Sequence, residues 1–170
     1  MTQAAEAIRA VLAGSDELSD AQLLSSCGAA VARSAPSTSG TLVATGFLRA
    51  SKAASDHPQG GVETVQCAFV AATDGIKARG KASVGDRTLV DGLDAVCNSL
   101  ELSLFSGLDV KHALKMAATV ARSAAEATAE MEPKVGRASW VPERAKGHPD
   151  AGCWMLAIAL QAVAASLSTG

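Results

Sequence analysis

The sequence predicts an all-α protein, on three observations. Apolar side chains recur at intervals of three and four residues through most of the 170 residues, the spacing that gives a helix one buried face. Hydrophobic residues make up 48% of the chain but aromatic residues only 3%, which indicates helices packed closely through small side chains. No segment alternates apolar and polar residues as a half-buried strand does. A chain of 170 residues suits one domain, so we predict a single domain over residues 1–170.

Two helices are predicted before residue 34. The first ends close to Gly14, in the way that a left-handed C-terminal cap stops a helix. The second starts after Ser19, because Ser19 and Gln22 form a capping-box pattern that satisfies free N–H groups at a helix start. Apolar residues then recur on one face as far as Arg33, where we expect this helix to end.

Turn-forming residues separate the next two helices. Residues 34–40 are dense in Ser, Thr, Pro and Gly, which favour a loop over a helix. A third helix is predicted over residues 41–54, and the run 57–61, with its proline and two glycines, breaks it. Residues 62–80 carry an apolar stripe with alternating gaps of three and four, which predicts a fourth helix.

Three more helices are predicted in the second half of the chain. A loop at 80–88 leads into a fifth helix over residues 89–107, where one face is apolar and the other polar. A sixth helix covers residues 110–131, and Pro133 prevents its continuation. The apolar stretch 153–167 is shorter than the roughly 20 residues that span a bilayer, so we predict a buried terminal helix there.

The predicted architecture is an antiparallel up-and-down helical bundle or barrel of about seven helices. The segment 132–152 is too long for an ordinary connection in a compact bundle, and such segments are usually functional. Helices in this architecture change direction at each turn. We therefore expect the loop 34–40, the loop 80–88 and the segment 132–152 to lie at the same end of the bundle.

Charge and cysteine content exclude several classes of function. The 15 Lys and Arg against 17 Asp and Glu give a net charge of −2, so we expect neither nucleic acid nor a membrane as a partner. The first residues lack the features of a secretory signal, which favours a cytoplasmic location. The 4 cysteines and 3 histidines are too scattered for a metal site built by the protein, and the cysteines are interpreted as reduced thiols.

The first two loops offer polar candidates, each with an ordinary structural alternative. Thr38 and Ser39 precede a predicted helix and present hydroxyl and N–H groups that suit phosphate, although Ser and Thr are also common helix caps. Asp86 is a candidate cap for the fifth helix. Arg87 points either into water or toward a phosphate.

The segment 132–152 adds further candidates. Arg137 and Asp150 either contact a ligand or form a surface ion pair. Trp140 either stacks on a purine or fills the end of the bundle. His148 is interpreted as a solvated side chain, because an isolated exposed histidine is more often solvated than catalytic.

Four short runs of sequence stand in a recognisable order. Residues 37–40 read Ser-Thr-Ser-Gly, and residues 80–91 read Gly-Lys-Ala-Ser-Val-Gly-Asp-Arg-Thr-Leu-Val-Asp. They are followed by Gly-Arg-Ala-Ser at 136–139 and Gly-His-Pro-Asp-Ala-Gly at 147–152. Together these runs resemble the DhaL family, the ADP-binding L subunits of dihydroxyacetone (glycerone) kinases. The resemblance covers most of the chain from Leu24 onward.

This resemblance implies a fold, a cofactor and a set of site residues. The family fold is a barrel of eight antiparallel helices that holds a nucleotide among loops at one end. The residues implied as nucleotide-binding are Thr38, Ser39, Gly80, Leu89, Arg137, Asp150, Ala151 and Gly152. The first two would contact phosphates, the next two would border the nucleoside, and the others would complete the ADP site.

The resemblance also implies partners for phosphoryl transfer. In members coupled to the phosphotransferase system, the L subunit keeps ADP as a bound cofactor that a partner protein rephosphorylates. The phosphoryl group then passes to dihydroxyacetone on a DhaK-like, substrate-binding K subunit. Other members use exchangeable ATP.

The sequence departs from the family at the metal site. The family binds magnesium through a loop of the form Gly-Asp-Gly-Asp-x-Gly, whereas no two aspartates of this chain stand two residues apart. Met1 falls where the family chain resumes after that loop, so the first elements of the family barrel are expected to be missing. Either the coding region begins upstream, or the chain is a shortened relative that has lost kinase activity.

The sequence therefore predicts a degenerate DhaL-like nucleotide domain that is inactive alone, because metal-free phosphoryl transfer leaves the phosphate charge unneutralised. No catalytic residue is assigned. The alternative is a non-catalytic interaction or regulatory module that retains the helical barrel. Apolar helix faces left uncovered by the missing elements also predict a homodimer.

Overall fold

The computed structural model describes residues 2–168, apart from the side chain of Thr2, and all of its regular elements there are helical. The all-α prediction is confirmed. The helices are α1 (Thr2–Leu12), α2 (Asp20–Ser34), α3 (Thr38–Asp56), α4 (Gly61–Gly80), α5 (Leu89–Phe105), α6 (Val110–Ala127), α7 (Pro142–Ala145) and α8 (Ala151–Ser166). Short 3-10 turns occur at Thr128–Glu130 and Arg137–Trp140. No described helix is long and apolar enough to cross a membrane.

The chain divides into two compact units, of which one ends at Lys81 and the other begins at Ala82. In the first unit each of the helices α1 to α4 packs against the next. Ala4, Val31 and Ala44 form a buried apolar cluster, against which the partly buried Phe47 packs. The small residues predicted to bring helices close together therefore do so in this unit.

The predicted start of α2 is confirmed. The N–H of Gln22 donates to the Ser19 hydroxyl at 3.3 Å, and the N–H of Ser19 donates to the Gln22 side chain at 2.9 Å. The start of α3 is three residues earlier than predicted, because Ser37 caps it and accepts a hydrogen bond from the N–H of Gly40 at 3.1 Å. Thr38 and Ser39 thus belong to the first turn of α3 rather than to a loop.

In the second unit α5, α6 and α8 pack against one another. Their core contains fully buried residues such as Val96, Leu100 and Ala121. α8 begins at Ala151, two residues earlier than predicted, and packs along one side against α5 and α6. The predicted terminal helix is therefore present, and it is buried on the face that carries Cys153, Ala157 and Leu160, whereas Ile158 on its other face is 52% exposed.

Candidate functional site

The start of α5 is held by a capping box. Thr88 is the N-cap, and its N–H donates to the Asp91 carboxylate at 2.7 Å. The other oxygen of Asp91 accepts the N–H of Gly85 at 2.5 Å, which ties the preceding loop to the helix. Asp86 instead accepts the N–H of Ser83 at 2.7 Å, so the prediction that Asp86 caps this helix is wrong. The Asp91 carboxylate thereby satisfies two N–H groups near the positive end of the helix.

The start of α8 is held from both sides of Asp150. The Asp150 carboxylate accepts the N–H of Cys153 at 2.9 Å, which is an ordinary helix cap. The N–H of Asp150 donates to the hydroxyl of Thr128 at 2.7 Å. Thr128 is fully buried, and its own hydroxyl donates to the carbonyl of Ala125 at 2.5 Å. The position of Asp150 is therefore fixed by the end of α6.

These two helix starts meet. A Cβ placed on Gly152 would lie 3.0 Å from the Cβ of Leu89. The starts of α8 and α5 therefore approach each other so closely that the position requires glycine. The thiol of Cys153 donates to the carbonyl of Thr88 at 2.9 Å. Burial raises the pKa of Cys153 to about 12, which keeps the thiol protonated and able to donate. The fold thus brings together Leu89, Asp150 and Gly152, three of the residues predicted to bind nucleotide.

The meeting point offers neutral donors and two carboxylates. The first N–H groups of any helix have no acceptor within the helix, and in α8 these belong to Ala151 and Gly152. Asp91 and Asp150 place negative charge beside them. Direct contact with a phosphate is opposed by these charges, whereas the hydroxyl groups of a sugar can both donate and accept here. This end of the second unit is chemically suited to a nucleoside.

Ala151 is a suitable position for proline, and Ala151→Pro is expected to stabilise the chain by about 0.4–1 kcal/mol. Proline fits the first position of a helix, where the lost N–H has no helical partner. Asp150, the preceding residue, already has φ −60° and ψ 132°, the extended conformation that proline requires of its neighbour. Urea unfolding measures the change.

The matched control for that substitution is Ala159→Pro, in the exposed middle of the same helix. Proline there removes a helical hydrogen bond and is expected to destabilise by about 3 kcal/mol. A lower unfolding free energy for Ala151→Pro than for the wild type would contradict the cap geometry.

The start of α3 has a different chemical character. Thr38 and Ser39 are exposed in the first turn, and that turn contains no acidic residue. Their hydroxyl and N–H groups lie at the positive end of the helix, an arrangement that suits an anion. Gly80, the last residue of α4, lies against Leu42 of α3. It stays a prediction that Thr38 and Ser39 contact phosphate. It also stays a prediction that the segments 34–40, 80–88 and 132–152 lie at the same end of the bundle.

The segment 132–152 contains short helical turns rather than one irregular loop. Arg137 and Trp140 lie on a 3-10 turn that follows Gly136, whose φ is 74°. Trp140 is 81% exposed, so the alternative that it fills the end of the bundle is wrong. Arg137 is exposed, and within residues 2–168 none of the ion pairs includes it or Asp150. The role of Arg137 in nucleotide binding stays a prediction.

Sequence reasoning missed two residues that build the site and left the role of a third open. The Thr88 cap was detectable, because Thr-x-x-Asp is a close variant of the capping-box pattern. Thr128 gave no signal, since its bond to Asp150 joins residues 22 positions apart. The side chain of Arg87 was predicted to point either into water or toward a phosphate. It is instead 4% exposed and donates to the carbonyls of Ala145 and His148.

Within residues 2–168, no group of three or more His, Cys, Asp or Glu side chains is placed to hold a metal ion. None of the four cysteines, all within the described residues, forms a disulfide, and Cys27 and Cys153 are buried.

Comparison with known proteins gives a consistent result. The sequence model of the DAK2 domain family matches residues 1–165. The ADP-binding subunit DhaL of the PEP-dependent dihydroxyacetone kinase of Escherichia coli K12 is 35% identical over 142 residues, which are 84% of this chain and 68% of that subunit.

Longer relatives match over a smaller part of their length. The L-erythrulose kinase of Pectobacterium atrosepticum is 42% identical over 90 residues, 53% of this chain and 15% of the kinase. The human triokinase/FMN cyclase is 32% identical over 163 residues, 95% of this chain and 28% of that protein. The chain therefore spans less than a third of the length of either of these two relatives.

Proposed function

The chain belongs to the DAK2 domain family, and we propose that it is the nucleotide-binding domain of a phosphotransferase of the dihydroxyacetone kinase type. The observation that carries this proposal is the meeting of the α5 and α8 starts, where Gly152 lies against Leu89. Both residues belong to the sequence runs that resemble the ADP-binding subunits. The relative named as an ADP-binding subunit also covers most of this chain.

The proposed ligand is ADP or ATP. Leu89 and Gly80 border the nucleoside, and the N–H groups of Ala151 and Gly152 donate to it. In the first unit, Thr38 and Ser39 donate to the phosphates. Exposed neutral donors at a helix start without an acidic first turn support this assignment, since they attract an anion and repel none. Arg137, exposed after a glycine of positive φ, completes the proposed site.

The described residues do not fit a magnesium site, because hard divalent cations need several oxygen ligands together and no such group is found there. The full sequence of 170 residues also contains no two aspartates that stand two positions apart. We propose that this chain by itself binds nucleotide without transferring phosphate to dihydroxyacetone.

Isothermal titration of the chain with ADP tests the proposal. We expect saturable binding with a Kd of about 1–100 μM, an affinity that several neutral hydrogen bonds to a nucleotide supply. The double variant Thr38→Ala/Ser39→Ala is expected to weaken binding about tenfold, as for the loss of about 1.4 kcal/mol. Thr119→Ala, which removes an exposed helical hydroxyl on α6, is the matched control and should bind as the wild type does.

Absence of binding up to millimolar ADP would refute the proposed function. Phosphoryl turnover by the chain alone, with ATP, magnesium and dihydroxyacetone, would refute the proposed inactivity and leave the nucleotide site standing.

A DhaK-like subunit and a protein of the phosphotransferase system are the proposed partners, because the Escherichia coli relative is named as a subunit of a PEP-dependent kinase. Mixing the chain with a K-type subunit, followed by light scattering, detects the complex. A chain that forms this complex without binding nucleotide would instead be an interaction or regulatory module. The same measurement on the chain alone tests the predicted homodimer.

A further inference from the structure

Arg87 occupies an unfavourable environment. Its φ of 59° lies in the left-handed region, which residues other than glycine rarely adopt. Its side chain is almost fully buried, and Nη2 donates to two main-chain carbonyls rather than to a carboxylate. The Nε and Nη1 atoms are buried without a hydrogen-bond partner. Backbone strain, a buried charge and two unsatisfied donors thus coincide at one residue, and such coincidences mark positions that function requires.

The contacts of Arg87 indicate what is required. The carbonyls that it binds belong to Ala145 and to His148, the latter at 2.6 Å, and they lie on both sides of the turn that leads to Asp150. Its neighbour in sequence is Thr88, whose carbonyl accepts the thiol of Cys153. Arg87 therefore closes a ring that runs from the start of α5, through residues 145–148, to the start of α8 and back.

Without Arg87 this ring has one remaining polar connection on the side of α5. The thiol of Cys153 would still bind Thr88, but residues 142–148 would be joined to the start of α5 by no other hydrogen bond that the described residues make. Most of that stretch is exposed and contributes little buried apolar surface of its own. The N–H of Gly147 donates to the carbonyl of Ala129 at 3.2 Å and that of Asp150 to the Thr128 hydroxyl, so the end of α6 holds one side of this turn. The guanidinium holds the side that faces the start of α5.

We propose that Arg87 is a positioning residue that orients the N–H groups of Ala151 and Gly152 toward the nucleoside. This proposal rests on the proposed function. Arg87 itself does not touch the ligand, since its free nitrogen atoms are inaccessible. A planar guanidinium suits the task, because one nitrogen can donate to two carbonyls at once.

The test compares Arg87→Met, which keeps the length of the side chain and removes its donors, with Arg87→Lys. We expect Arg87→Met to raise the Kd for ADP at least about tenfold and Arg87→Lys to raise it about threefold, since an ammonium still donates to a carbonyl but lacks the planar geometry of the guanidinium. In the absence of ADP, amide NMR resonances of residues 150–153 should shift in Arg87→Met, while those at the start of α6 should not.

Val96→Ala is the matched control, because it truncates a fully buried side chain in the middle of α5, away from the ring. It should lower the thermal stability and leave the Kd for ADP unchanged at temperatures where the chain is folded. The inference is overturned if Arg87→Met binds ADP as the wild type does, or if Val96→Ala weakens binding equally. If Arg87→Met does not fold, the same judgement is made on Arg87→Lys, and an unchanged Kd in that variant overturns the inference.

The failure of the proposed function has a different signature. If the wild type binds no ADP, the nucleotide proposal is lost, and the amide shifts of residues 150–153 alone decide whether Arg87 orients the first turn of α8. Unshifted resonances in a folded Arg87→Met would then overturn the positioning role.

Discussion

Gly152→Val is expected to abolish measurable ADP binding while the chain remains helical. A Cβ at this position would lie 3.0 Å from both the Leu89 Cβ and an oxygen of Asp150, and 3.3 Å from the Leu89 nitrogen. The two branches of valine stiffen the side chain, and the Leu89 backbone cannot yield because it forms the first turn of α5. The start of α8 must move away from α5, at a cost of about 1–3 kcal/mol.

The displacement removes two features of the proposed site together. The N–H of Gly152 no longer points toward the proposed position of the nucleoside, and the thiol of Cys153 loses the carbonyl of Thr88, its partner at 2.9 Å. Titration calorimetry gives the Kd, and circular dichroism gives the helix content. The matched control is Ala159→Val, at an exposed position in the middle of the same helix, which should retain binding. Wild-type affinity in a folded Gly152→Val protein would contradict the location of the nucleoside.

The helices were predictable from the sequence because their signals are local. Intervals of three and four residues and the Ser19 capping box identify elements without knowledge of the rest of the chain. The start of α3 was predicted too late, because the local composition favours a loop whereas a helix cap starts the helix earlier. Ser, Thr and Gly at 37–40 favour a loop as isolated residues, yet Ser37 satisfies the N–H of Gly40, and the helix starts at Thr38.

The candidate site was predictable only in part. Leu89, Asp150 and Gly152 were identified through a family resemblance, and the structure brings them together. The environment of Arg87 was beyond sequence reasoning, because the carbonyls that it binds lie 58 and 61 positions further along the chain. The exposure of Trp140 likewise depends on which elements cover it rather than on its neighbours in sequence. Local rules thus give the helices, while long-range contacts decide what their ends can bind.

Gly40→Ala is expected to destabilise the chain by about 3 kcal/mol, although replacing glycine by alanine within a helix usually stabilises it by about 0.5–1 kcal/mol. The added Cβ would lie 2.0 Å from the carbonyl oxygen of Ala35 and 2.9 Å from its Cβ. That oxygen is held in place by the N–H of Ser37 at 2.7 Å. The methyl group therefore displaces the start of α3 rather than the turn before it.

The sign of the change in unfolding free energy shows whether the close contact with Ala35 or the higher helix propensity of alanine has the larger effect. Gly14→Ala is the control, since nothing lies within 4 Å of its added Cβ, and its unfolding free energy in urea should match that of the wild type. A stability for Gly40→Ala at or above the wild-type value would show that α3 can begin without this approach. The hydroxyl groups of Thr38 and Ser39 would then not be fixed by Gly40, and the proposed phosphate contacts would lose their rigid support. A large loss instead ties those two side chains to the turn at Ala35, which places them on a preorganised helix start before any ligand binds.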